Sequence, residues 1–360
     1  MDQTLEKPYV IGLDMGGTNS VFGIVDARGI IKAQTVIKTR GYKNVEEYVK
    51  TAVEALQPAI DLVGGIEMIK GMGIGAPNAN YYTGTIDNAA NLEWKGIVPI
   101  AKLFSDALGV PVRVTNDANA AAMGEMTYGA ARGMKNFIMI TLGTGVGSGI
   151  VCDGRVIYGS DGFAGELGHV IVDRSENARP CGCGRKGCLE TYCSATGVAR
   201  TARYLLETSP EQSLLRKLNV DEITSFDVYQ AAEAGDKLAL EIFEETGRRL
   251  GAACADFAAF SSPEAFIFFG GLTKAGDYIM DPIKRAYDEN VLFVYKDKAK
   301  LLVSTLNGSE AAVLGATFRI SDDCGVTFGP LYKSPVTSPH GPVEMPDGSL
   351  LWVGRTFSAN

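Results

Sequence analysis

Apolar positions come first in short runs broken by glycine. The stretch "YVIGLDMGGTNSVFGIVDARGIIKAQTV" predicts three strands joined at a Gly-Gly turn and an Ala-Arg-Gly turn. The spacing then lengthens. "NVEEYVKTAVEALQPAI" repeats its apolar residues at helical intervals, "MIKGMGIGAP" returns to a strand, and "IVPIAKLFSDAL" is again helical. "PVRVTND" is a short strand, and the alanine-rich "ANAAAMGEMTYGAA" favours a helix. A second strand–glycine turn–strand unit follows in "NFIMITLGTGVGSGIVCDGRVI". Helical patterns dominate from about Ala195 to Phe260. "EAFIFFGG" then reads as a buried strand and "YIMDPIKRAYDENV" as a helix. Strands alternating with helices predict an α/β protein with mixed, partly parallel sheets.

The two glycine-tipped hairpins resemble each other. Laid together without a gap, Ile11–Arg28 and Ile138–Arg155 match at Ile11/Ile138, Gly16/Gly143, Asp26/Asp153 and Arg28/Arg155. Two related halves would explain such a match.

Composition narrows the class. A chain of 360 residues with 46% hydrophobic and 21% charged positions has room for two domains around buried cores. The net charge of −8 and the lack of a long basic run argue against nucleic-acid binding. No apolar run approaches the roughly 20 residues needed to span a bilayer, and the N-terminus has no basic-then-apolar leader pattern. A cytoplasmic location is therefore expected, where clustered cysteines are metal ligands more often than disulfides.

Three segments carry candidate chemistry. In "LDMGGTNS" the glycines let backbone N–H groups approach an anion, and Asp14 at the strand end has the charge to hold Mg²⁺. The segment is neither a Walker loop nor G-x-G-x-x-G, and a plain tight turn is its structural alternative. "LGTGVGSG" carries the same two readings, and with "FFGG" ending a buried strand the set favours nucleotide binding. In "VTNDANAAAMGE", Asn116 and Asp117 stand where a strand gives way to a helix. Both are good caps, and Asp117 is also placed to take a proton from a substrate hydroxyl. Third, "GELGHVIVDRSENARPCGCGRKGCLE" offers His169, Cys181, Cys183 and Cys188 as a closed Cys3His set for structural Zn²⁺. A metal knot there would hold Glu166 and Glu190 rigidly, as acceptors for sugar hydroxyls.

Together "LDMGGTN", "NLEW", "TNDANAAAMGE", "LGTGVGSGIV", "GELGH", "CGCGRKGCLE", "FFGG" and "GSEAAVLGA" resemble the ROK family of sugar kinases, in the family's order, from about Pro8 to Thr317. The resemblance implies an actin/hexokinase-like (ribonuclease H-like) α/β fold of two domains around a central cleft. Residues 1–116 would form the small domain with 305–318 returning to it, and 117–304 the large one with the zinc loop. It further implies ATP-dependent phosphorylation of a hexose, most plausibly glucose at its 6-hydroxyl, with Asp117 as general base. Asn91, Asn116, Glu166, His169 and Glu190 would bind the other hydroxyls, His169 also holding zinc. Asp14, Gly16, Gly17, Thr18, Gly143, Thr144 and Gly145 would face phosphate and Mg²⁺, with Gly270 and Gly271 near the adenosine. A homodimer is expected on the same ground.

Alternatives within the family are a kinase for fructose, mannose, allose or an N-acetylhexosamine, a catalytically silent sugar-binding protein, and a sugar-responsive repressor. The repressor reading needs a helix-turn-helix ahead of the module, and the first strand here begins near Tyr9. Residues 319–360 depart from the family pattern. Ser321, Asp323, Gly325, Thr327 and Phe328 match the Asp box of sialidase-like propellers, and "SPHGPVEMPDGSLLWVG" resembles a propeller strand pair around an Asp-Gly turn. So short a piece cannot close a propeller. No sialidase activity is expected, and removing everything after Phe318 is expected to leave the main activity in place.

Overall fold

The computed structural model describes residues 7–89, 92–306 and 308–317, and the backbone of two short strands, Val343–Glu344 and Leu350–Leu351. Asn91 and the Asp-box positions lie outside the described residues. The two strands pair antiparallel, with Val343 opposite Leu351. Among the described residues no helix is long and apolar enough to cross a membrane.

The chain divides into two compact units, Met1–Gly133 with the chain from Ser309 on, and Met134–Gly308. In the first, β1 (Tyr9–Met15), β2 (Asn19–Asp26) and β3 (Ile31–Lys38) form the meander that the glycine breaks predict. Helix α1 (Val45–Leu62) follows, capped by Asn44, whose side chain accepts the Glu47 N–H. Then come β4 (Ile69–Ala76), a small antiparallel sheet of β5 (Ala79–Asn80), β6 (Thr85–Asp87) and β7 (Ile97–Val98), and α2 (Ile100–Leu108). Strand β8 (Val112–Asn116) leads directly into α3 (Asp117–Tyr128). The main sheet runs β3-β2-β1-β4-β8, and β1, β4 and β8 are parallel.

The second unit repeats that plan. Strands β9 (Phe137–Leu142), β10 (Val146–Cys152) and β11 (Arg155–Val156) form a meander. Helices α4 (Glu190–Cys193), α5 (Ala195–Thr208), α6 (Ser225–Glu233) and α7 (Lys237–Ser261) precede β12 (Ala265–Phe269), α8 (Asp277–Asn290) and β13 (Lys300–Val303). The sheet order is β11-β10-β9-β12-β13, the order of the first unit strand for strand. The halves are thus related, but the ungapped match slips past the tip. Met15 pairs with Ser20, whereas Leu142 pairs with Val146, so the second turn is one residue tighter.

The expected boundaries move. The sequence places the large domain from residue 117, but helix α3 belongs to the first unit, which ends at Gly133. The cause is α9 (Gly308–Thr317), which packs back onto that unit. Its backbone lies so close that a Cβ at Gly12 would strike the Val313 carbonyl and one at Gly73 the Ala316 carbonyl. Likewise, a Cβ at Gly124 would meet the Ala311 carbonyl, and one at Gly315 the Ala120 carbonyl. Four missing side chains thus let α9 and α3 share one core with the sheet.

Candidate active site

In the first unit the chemistry gathers at the C-terminal ends of parallel strands, where α/β folds bind ligands. Asp14 on β1 lies opposite Gly75 on β4, which lies opposite Thr115 on β8. Asp117 opens α3 two residues further on. Gly75 is the residue that sequence reasoning passed over. A Cβ there would crowd Ala120 and approach the Asp117 Cα, so its absence lets the start of α3 pack closely on β4.

Both carboxylates are half-buried yet surrounded by protein on most sides. Burial, and secondarily the charge of Asp117, pushes the Asp14 carboxyl up to about 7. Burial also raises Asp117, partly offset by the Ala118 N–H, which Asp117 Oδ1 accepts at 2.8 Å. The capping role of Asn116 is present as well, since its Oδ1 accepts the same N–H at 2.9 Å. Among the described residues Asp117 Oδ2 takes no hydrogen bond, and it remains available to a substrate hydroxyl. At the β1–β2 tip Gly16 and Gly17 are half-buried and Thr18 is exposed.

In the second unit the β9–β10 tip, Gly143, Thr144 and Gly145, is open to solvent at its first two residues. It is anchored from beneath, because the Ala195 N–H opening α5 donates to the Gly143 carbonyl at 2.8 Å. Gly270 ends β12 at φ +114, and a Cβ there would strike Leu142, the residue before Gly143. The second glycine pair is thereby brought beside the tip, with Gly271 facing open space.

The Cys3His cluster also assembles here. The ligand atoms of His169, Cys181, Cys183 and Cys188 all lie within 4.8 Å of one another. Cys183 and Cys188 sulfurs are 3.6 Å apart, and Cys181 Sγ lies 3.7 Å from His169 Nδ1. A zinc tetrahedron with bonds of about 2.3 Å has edges of about 3.8 Å, which two of these pairs already match, so the donor set fits the ion with small shifts. Burial raises Cys181 and Cys188. It would raise Cys183 too, but the Arg185 backbone and side chain and the neighbouring sulfurs outweigh it and draw Cys183 down to about 6. Such crowded thiols lose their protons together only around a cation.

The two acids bracketing this cluster are held by different means. Glu190 Oε1 accepts from Cys181 Sγ at 3.1 Å and lies 3.8 Å from His169 Nδ1. Its Oε2 faces the glycine tip, accepting the Val146 N–H at 3.5 Å. Glu166 is exposed, and strand β10 pins the backbone on either side of it. Ser148 Oγ donates to the Gly165 carbonyl and accepts the Leu167 N–H, gripping Glu166 from both sides. Ser148 sits within the LGTGVGSGIV motif, but its tie to the Glu166 segment shows only in the structure.

This arrangement defines the class, and comparison with known proteins agrees. The ROK family model matches residues 10–322, and the chain belongs to that family. A glucokinase of Halalkalibacterium halodurans is 37% identical over 324 residues, covering 87% of this chain and 94% of the relative. A ROK family glucokinase from Streptomyces griseus, solved in complex with glucose and AMPPNP, superposes with a TM-score of 0.72 at 34% identity, covering 86% and 98%. The fold is accordingly actin/hexokinase-like. A putative xylose repressor of Caldicellulosiruptor sp. is 26% identical, over 87% of this chain and 78% of its own.

Proposed function

We propose that this protein, a sugar kinase by kinship, transfers the terminal phosphoryl group of ATP to the 6-hydroxyl of glucose, with Asp117 as general base. The observation that carries the reading is the pair of crowded carboxylates at the strand ends, one with an oxygen unengaged. A carboxylate raised above its usual range is a better base near neutral pH. Asp117 would take the hydroxyl proton as that oxygen bonds to phosphorus and the bond to the ADP oxygen breaks. Asp14, with Gly16, Gly17 and Thr18, would face the phosphates. Mg²⁺, bound with ATP, would neutralise their charge. Gly143, Thr144 and Gly145 would offer further backbone N–H groups, and Gly270 and Gly271 would leave room for the adenosine.

Asn91, Asn116, Glu166, His169 and Glu190 would bind the remaining hydroxyls. Asn116 spends its carbonyl oxygen on the helix cap, so its NH₂ is the group left to donate. His169 would give Nδ1 to zinc and keep Nε2 for the sugar. Zinc, with four protein ligands, would be structural. The assembly would be a homodimer.

The test is coupled ADP release with ATP, Mg²⁺ and a panel of hexoses. Fast release with glucose alone is expected, and Asp117→Asn should lower kcat by about 10²–10⁴-fold while glucose still binds. Release with a different hexose would correct the substrate. Wild-type kcat in Asp117→Asn would remove Asp117 from its role, and no release with any hexose would leave a sugar-binding protein.

A further inference from the structure

Beneath the cysteine cluster lies a polar assembly that no step above uses. The ring of Tyr192, on α4, has the Arg179 guanidinium 4.5 Å from its centroid and the Arg249 guanidinium 4.2 Å from it. Both guanidiniums are thus within cation–π range of one ring. The Tyr192 hydroxyl donates to Asp173 Oδ2 at 2.6 Å and accepts the Arg179 backbone N–H at 3.0 Å. The bond from the Tyr192 hydroxyl is the largest cause holding the Asp173 carboxyl down to about 2. Arg179 Nη1 donates to the Thr191 and Gly197 carbonyls, and Arg249 is tied to Glu245 on α7 at 2.6 Å.

The position of these contacts gives them meaning. Asp173 and Arg179 stand at the start of the 173–188 loop, which carries three of the four metal-ligand candidates. The loop's return is stitched to both, because the Gly187 N–H donates to the Arg179 carbonyl at 2.8 Å and the Val172 N–H to the Gly187 carbonyl at 2.9 Å. Gly187 passes so close to the Asp173 carbonyl that a Cβ would strike it. Tyr192 therefore joins the loop's first half to the helix that carries Glu190, and through Arg249 to α7, while the return end is tied to that first half by Gly187.

We propose that Tyr192 is a positioning residue. With Arg179, Arg249 and Asp173 it forms a metal-independent clamp that pre-shapes the cysteine loop, so that the thiols and imidazole are gathered before zinc arrives. The effect on zinc rests on reading the cluster as a zinc site. The clamp itself does not. Preorganised ligands bind a metal more tightly because less chain freedom is lost on binding, and outer partners of metal ligands commonly change affinity by about 10–100-fold.

The test uses the full chain and two mild variants. Tyr192→Phe keeps the ring beside both guanidiniums and removes both hydroxyl bonds. Asp173→Asn weakens the charged acceptor. Zinc affinity is read by competition with a chromophoric chelator, and hydrogen exchange across 173–188 is read in metal-stripped protein. Expected are a roughly 10-fold loss of affinity in Tyr192→Phe and faster exchange confined to the loop in both variants, with unfolding midpoints near wild type. Unchanged exchange in both variants would overturn the clamp. Faster exchange with unchanged affinity would overturn its role toward zinc. Wild-type protein that takes up no zinc would overturn the metal reading, while the exchange contrast still decides the clamp.

Discussion

Replacing Asp14 by Asn should make the ligand-free protein more stable while disabling it. The Asp14 carboxyl is raised from an ordinary 3.8 to about 7. The native state therefore holds this proton while the unfolded chain has already released it. Stability tied to the group is fully present below about pH 4 and is lost as pH rises to about 7. At 1.36 kcal/mol per pH unit the total loss approaches about 4 kcal/mol, of which about 2 falls between pH 5.5 and pH 8. Asn does not titrate. The stability advantage of Asp14→Asn over wild type should thus widen by about 2 kcal/mol between those two conditions. Denaturant unfolding without Mg²⁺ or nucleotide reads this directly. Trp94 sits in the same unit, packed on Tyr48 at 4.8 Å, and a Trp352→Phe background makes it the sole tryptophan reporter. A difference that stays flat with pH would refute the reasoning, because Asp14 would then be an ordinary ionised carboxylate. Turnover under the proposed function should fall at the same time, the usual cost of keeping a buried acid in a site.

Three further outcomes are expected. Gly315→Ala should destabilise the first unit by about 3 kcal/mol, because the new methyl collides with the Ala120 carbonyl, although alanine favours helix by about 1 kcal/mol; a Trp94-monitored transition at or above the wild-type midpoint would contradict the packing. Tyr287→Phe should match or exceed wild-type stability, by up to about 1 kcal/mol, since among the described residues the Tyr287 hydroxyl is buried without a partner; a clear loss in unfolding followed by far-ultraviolet circular dichroism, which senses the helices of the second unit, would mean the hydroxyl is satisfied. Ser148→Ala should raise the sugar KM about 10-fold with a smaller change in kcat, since the residues flanking Glu166 lose their anchor. An unchanged KM would show that Glu166 does not need it.

Local patterns were legible in the chain and distant ones were not. The three cysteines and His169 announce a cluster because tight glycine turns must gather residues so near in sequence. The two hairpins show in their glycine tips and alternating apolar positions, and the matching sheet orders bear out the related halves. The facing of Asp14 and Asp117 is different. It depends on β4 lying between β1 and β8, and on Gly75 at the crossing, which spacing alone does not reveal. Helix α3 looked like the start of a new domain because a strand end and a cap precede it. Its partner α9 lies nearly 200 residues away, and the glycines that join them read as ordinary helix weakeners. The acids beside the cysteines looked alike, but Glu190 is held by a thiol and a backbone N–H, and Glu166 through a serine on another strand.

The return of α9 also sets an order of events during synthesis. The second unit is one unbroken stretch, Met134–Gly308, and every strand of its sheet has left the ribosome by β13. The first unit is made earlier but waits longer. Until α9 emerges, the backbone at Gly12, Gly73 and Gly124 has no cover. The part translated first is therefore the part completed last, and its sheet, whole by Asn116, waits through the making of the second unit for the helix that covers it.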